Sequence, residues 1–120
     1  MNIKNKNCLI DNDHNGWSYG WWQVCGNFGG RMFYNDYNYS TTTRKHQAWI
    51  RRYISNYVTV QAPEGLQAGL GQCIREERRL IRDLVKDIRK PRSQAKKNAE
   101  RRAEIAERLA TIKIIKECMK

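Results

Sequence analysis

Cations are the residues of this chain with chemistry to offer. Twenty-three Lys and Arg stand against twelve Asp and Glu, giving a formal net charge of +11 and an isoelectric point near 9.8. They are also gathered. The run Arg89-Lys90-Pro91-Arg92-Ser93-Gln94-Ala95-Lys96-Lys97 continues into Arg101 and Arg102, and no carboxylate falls between Asp87 and Glu100. Guanidinium and ammonium groups without a local counter-charge suit a phosphate backbone, because each phosphate they neutralise adds a salt-dependent, sequence-independent increment of affinity. Arg44, Lys45, Arg51 and Arg52 form a second, smaller patch. Three of these four are Arg, whose planar fork matches phosphate or carboxylate bidentately. Elsewhere cations interleave with carboxylates at i,i+4, as in Arg79 with Asp83 and Glu104 with Arg108, which is the pattern of a solvated helix face. Trp21, Trp22 and Tyr37 could stack on unpaired bases, although alternating aromatics in a hairpin are more often core.

Other chemistries find no constellation. His46 falls one turn before Trp49 and Ile50 with no Asp, Glu, Cys or Ser at a catalytic spacing, so it reads as a packed, hydrogen-bonding histidine. Cys8, His14, Cys25 and His46 match no zinc spacing, and Gly26 to Gly30 lack the Lys-Ser/Thr of a phosphate loop. No catalytic, cofactor or metal residue is therefore assigned, and a non-enzymatic protein is expected. Cys8, Cys25, Cys73 and Cys118 are scattered without a C-x-x-C pair and are expected to remain thiols. No run reaches the ~18 apolar residues of a membrane span, and the first residues lack a signal's apolar core, so a cytoplasmic location without membrane contact is expected.

The elements that must carry these cations change character along the chain. Residues 1–16 are Asn-rich, with one apolar island at Cys8-Leu9-Ile10 suited to an edge strand and loop elsewhere. Alternation from Trp17 predicts a strand to Cys25, the glycines of 26–30 a hairpin loop, and Arg31 to Asn35 the returning strand. Ser40 is the predicted N-cap of a helix starting near Thr41 to Thr43, with His46, Trp49, Ile50, Tyr53 and Ile54 on its packed face. The β-branched stretch Tyr57 to Gln61 predicts a third strand. Amphipathic spacing then predicts a helix from about Leu70 to Lys90, a turn at Pro91, and a second helix from about Ser93 to Met119 with Ala95, Ala99, Ile105, Ala106, Leu109, Ile112 and Ile115 along one side. All twelve aromatic residues lie between Trp17 and Tyr57. The expected architecture is α+β: a small N-terminal antiparallel sheet with one packed helix over 1–62, and a basic two-helix region over 63–120 packed with it as an αα-hairpin, or paired with the same helices of another copy.

The segment Tyr39-Ser40-Thr41-Thr42-Thr43-Arg44-Lys45-His46-Gln47, preceded by Ser18-Tyr19-Gly20, resembles a motif of small bacteriophage and prophage proteins. In these a tyrosine, a serine, paired threonines and Lys-His follow a β-hairpin. The resemblance covers about the first sixty residues and implies a mobile-element origin and a small α+β fold, without an assigned activity. It also implies a class of accessory protein that acts by occupying a host machine, as anti-CRISPR proteins and other defence inhibitors do. The expected function is a basic protein binding nucleic acid, or a nucleic-acid-loaded host complex, through Arg89 to Arg102. The alternative is a homodimerising interaction module that blocks an acidic groove of one host protein.

Overall fold

A computed structural model describes residues 3–92 and 94–120. The expected loop at residues 1 and 2 and the expected helix start at Ser93 lie outside them. Strands β1 (Ile3–Asn5), β2 (Cys8–Ile10), β3 (Gly16–Ser18), β4 (Trp22–Phe28) and β5 (Arg31–Asn35) follow one another as an antiparallel meander. Helix α1 (Thr41–Arg51) then crosses over, and β6 (Val58–Val60) lies parallel to β5 in a six-stranded sheet of order β1 to β6. The apolar island at Cys8 is thus an inner strand and β1 takes the edge. The pairing of β6 with β5 is the one departure from the expected antiparallel sheet. A helix between two strands returns the chain to the same end of the sheet, which makes the second strand run parallel to the first.

The predicted strand from Trp17 to Cys25 is two strands. Tyr19 and Gly20 both have positive φ, 55° and 77°, and fold the chain back between β3 and β4 in a tight turn. Such turns favour Asn, Asp or Gly at the first position, so a tyrosine gave no turn signal. Its left-handed backbone costs about 1–2 kcal/mol. Two interactions offset this: the Tyr19 N–H donates to the Asn7 carbonyl at 2.6 Å, and its ring meets that of His46 edge-on at 5.1 Å. Gly29 and Gly30 make the β4–β5 turn with φ of 57° and 83°. A side chain on Gly29 would also run into the Cys118 backbone, because the end of the last helix rests on this turn.

Successive side chains of β5 point to opposite faces and enter separate cores. Tyr34 joins Cys8, Ile10, Trp22, Val24 and Cys25 beneath Ile50 of α1. Phe33 joins Val60 and Ala62 beneath Leu66, Leu70, Cys73, Ile74, Ile112 and Ile115. The second core draws on both parts of the sequence, so the helical region closes the lower face of the sheet.

That region is a helical hairpin of α2 (Gly71–Ile88) and α3 (Ala95–Cys118), entered through one 3₁₀ turn at Leu66–Ala68. On α2, Ile74, Glu77, Ile81, Leu84 and Ile88 are buried or half-buried; on α3, so are Asn98, Arg101, Ile105, Arg108, Ile112 and Ile115. Their three-and-four spacing is a heptad seam. The seam corrects the predicted face of α3: Ala95, Ala99, Ala106 and Leu109 are not part of it, Leu109 being 54 % exposed, and three polar residues take inward positions instead. Only the base of the hairpin reaches the sheet. The radius of gyration, 15.9 Å with extents of 54 × 34 × 22 Å, exceeds the roughly 13.6 Å of a compact chain of this length because the far half of the hairpin projects.

Candidate nucleic-acid interface

The projecting end is built by helix termination. The N–H groups of Arg89 and Lys90 still reach Val85 and Asp87 carbonyls at 3.1 and 3.3 Å, but Pro91 has no N–H to continue the ladder. The chain turns through Pro91 and Arg92. Gln94, extended at φ −84° and ψ 137°, then opens α3, its carbonyl accepting from the Asn98 N–H at 2.9 Å.

The corner brings the predicted cations together. Arg89, Lys90, Arg92, Lys96, Lys97 and Arg102 are exposed, and Arg101 is half-buried in the seam. Lys90, Arg92, Gln94, Lys97, Arg101 and Asp87 line a shallow pocket of about 240 Å³. Two of the cations have partners within the chain. Lys90 Nζ lies 2.9 Å from Asp87 Oδ1, and Arg101 donates to Asn98 Oδ1 at 2.9 Å. The Lys90 hydrogen bond and charge, with a smaller contribution from Arg101, hold the Asp87 carboxyl below its ordinary pKa. Among the described residues no ion pair involves Arg89, Arg92, Lys96, Lys97 or Arg102.

A longer feature joins the corner. Arg75, Arg78, Arg82, Lys86 and Arg89 recur every three or four residues on the face of α2 turned away from α3, and most are well exposed. None of them forms an ion pair among the described residues, whereas Arg79, at the edge of this stripe, is held by Glu76 and Asp83. At 1.5 Å per residue the stripe runs for about 21 Å and ends at the corner. The sequence carries its signal in that spacing, but the interleaved carboxylates hide it. Glu76, Asp83 and Asp87 lie to one side of the stripe once the helix is wound.

The α1 patch lies elsewhere. Helix α1 packs on the Tyr34 side of the sheet and the hairpin on the Phe33 side, so the two cationic surfaces do not merge. Arg44 is already engaged: its Nη1 donates to Asp36 Oδ1 at 2.8 Å and to the Asp36 carbonyl at 2.9 Å. Arg51 stands 6.0 Å from the centre of the Tyr34 ring. Lys45 and Arg52 are exposed.

The motif residues dock α1. Ser40 caps the helix by accepting from the Thr43 N–H at 3.1 Å. Thr43 Oγ1 and His46 Nδ1 lie 3.2 and 2.7 Å from Ser18 Oγ, a hydroxyl on a residue with no exposed surface. Gln47, a polar residue that helical spacing of apolar side chains leaves off the packed face, is buried and donates to the Asn35 and Tyr37 carbonyls at 2.7 and 2.9 Å. Tyr53, expected on that face, is largely exposed because the helix ends at Arg51. Ser, Thr, His and Gln thus do locally what an apolar stripe would do: they fix the helix against β3 and the end of β5. Ser18 is too enclosed for its hydrogen bond with His46 to present a nucleophile. Among the described residues no group of three or more His, Cys, Asp or Glu is placed to hold a metal, and no helix is long and apolar enough to cross a membrane.

Burial lowers the His46 pKa below its ordinary value. In the folded chain the ring therefore resists a proton that the unfolded chain accepts near pH ~6.5. Stability is at its full value above that pH and declines as the pH falls through it toward the folded pKa. Urea unfolding at about pH 7 and about pH 5 should show this loss in the wild type, and a shallower pH dependence in His46→Asn. An unchanged dependence in the variant would assign it to other groups.

No family model, curated protein or solved structure matches this chain.

Proposed function

We propose that this chain is a small, non-enzymatic binding protein that grips a nucleic-acid backbone, free or held in a host nucleoprotein complex, with its projecting helical hairpin. One observation carries the reading. Cations recur along the outer face of α2 and on both sides of the turn into α3, and most have no carboxylate partner among the described residues. A ridge of this kind supplies point charges and guanidinium forks to successive phosphates without reading bases, so affinity is governed by counterion release. A protein of phage type with this surface would compete for the nucleic acid inside a host defence complex. Pairing between copies through the aliphatic seam has less support, because Ile105, Ile112 and Ile115 face α2 or the sheet of their own chain.

The test is binding of the full-length protein to random-sequence RNA and DNA over a range of salt concentrations. The logarithm of the association constant should fall linearly with that of salt, with a slope of about −0.9 for each phosphate neutralised on duplex DNA. Indifference to both nucleic acids at low salt would end the proposal.

A further inference from the structure

A second surface lies where the β1–β2 and β3–β4 turns meet the start of α1. Tyr19, Trp21 and Tyr39 are 49, 52 and 50 % exposed there, although large aromatic rings are normally covered. They are held in place. The Trp21 and Tyr39 rings meet edge-on at 5.9 Å, and Tyr39 also leans on buried Trp22 at 5.4 Å. Tyr19 abuts His46, and His46 lines a cleft of about 320 Å³ together with Lys6, Asn7, Thr42, Lys45 and Trp49. No carboxylate lines this cleft. Its volume falls at the small end of ligand-sized clefts.

From this juxtaposition of fixed, half-exposed rings and a cationic cleft we infer that the surface takes unpaired bases of a single-stranded nucleic acid. Tyr19 and Trp21 would serve as stacking platforms, and Lys6 and Lys45 would meet the phosphates. Rings alone would suit a protein partner equally well, since Trp and Tyr are favoured anchors in protein interfaces. The lysines decide between them. A cleft with cations and no anion complements a polyanionic strand, and every base offers a π-face whatever its sequence. The inference rests on the proposed nucleic-acid reading and adds to it. The hairpin supplies backbone affinity, indifferent to strandedness, while this surface supplies a preference for unpaired strands.

The experiment is a titration of the full-length protein with a single-stranded oligothymidine of about a dozen nucleotides and with a duplex of the same length, following tryptophan emission and affinity. The single strand should quench the emission and bind more tightly than the duplex. Trp21→Ala and Tyr19→Ala, each titrated at a temperature where circular dichroism shows it fully folded, should each weaken oligothymidine binding about tenfold and leave duplex binding unchanged. If the protein binds duplex but neither variant alters oligothymidine affinity, the rings serve another partner, such as a protein, and the inference is overturned while the hairpin reading stands. If it binds neither nucleic acid, both fall together.

Discussion

Replacing Arg108 with alanine should destabilise the fold by about 3 kcal/mol or more. Its guanidinium reaches across the hairpin to Glu77 Oε2 at 2.8 Å, and the Glu77 side chain is only 3 % exposed against 23 % for Arg108. Burial alone would lower the Arg108 pKa. The hydrogen bond and charge of Glu77, helped by Glu104, more than reverse this and hold it above its ordinary value. Removing the arginine leaves a carboxylate in a site with little access to water, and breaking a buried pair in this way typically costs about 3–5 kcal/mol. The partial exposure of Arg108 argues for the lower end. Alanine is also the best helix former, so no loss of propensity confuses the result. Even ~3 kcal/mol is a large share of the roughly 5–15 kcal/mol that holds an ordinary domain together. Urea denaturation at neutral pH measures it. Replacing both residues with leucine should restore most of the loss, since a heptad seam accepts apolar side chains at these positions. A single-variant loss below about 1 kcal/mol, the range of exposed pairs, would show that the pair is solvated.

Changing Arg89, Lys90, Arg92, Lys96 and Lys97 to glutamine should weaken binding to both DNA and RNA by on the order of a hundredfold or more at ~0.1 M salt, and flatten the salt dependence by nearly one unit of slope for each phosphate no longer neutralised. Stability should hardly change. These side chains are exposed, and the sole ion pair among them in the described residues, Lys90 with Asp87, is a surface pair screened by solvent. A parallel set on the α2 stripe, Arg75, Arg78, Arg82 and Lys86 to glutamine, separates the corner from the ridge. If the strand lies along the helix, both sets flatten the slope; if it touches only the turn, the second set binds like wild type. A corner variant with wild-type affinity and slope would remove these cations from the interface.

What could be read from the sequence, and what could not, follows physical lines. Strand β5, the Ser40 cap, the position of β6 and the hairpin about Pro91 were legible because each rests on local signals: alternation, a short polar cap, β-branching, a missing N–H. The i,i+4 pairs Arg79 with Asp83 and Arg108 with Glu104 were legible for the same reason. The turn at Tyr19 was not, because its left-handed residue is sustained by Asn7 and His46, neither of them a neighbour in sequence. The buried face of α1 was legible in part: Ile50 is buried and His46, Trp49 and Ile54 are half-buried as expected, but its polar members were missed. Gln47 and Thr43 look like surface residues until β3 and β5 supply their partners. On α3, small and aliphatic residues occur all round the helix, so periodicity alone could not choose the seam. The seam is fixed by Ile112 and Ile115, which enter the core under Phe33, together with Arg108, which pairs with buried Glu77. The cationic corner was visible as composition, while the α2 stripe required the helix to be wound before its carboxylates moved aside.

Phe33 sits on β5, next to the edge strand β6, and the residues that cover it include Ile112 and Ile115, far downstream in the chain. The meander and α1 are built from neighbouring segments, but the Phe33 side of that sheet is covered by residues from Leu66 onward, contributed by the turn before α2, by α2 and by α3. Closing that side therefore requires contacts about eighty positions apart in sequence, and the entropy of so long a loop has to be offset before they form.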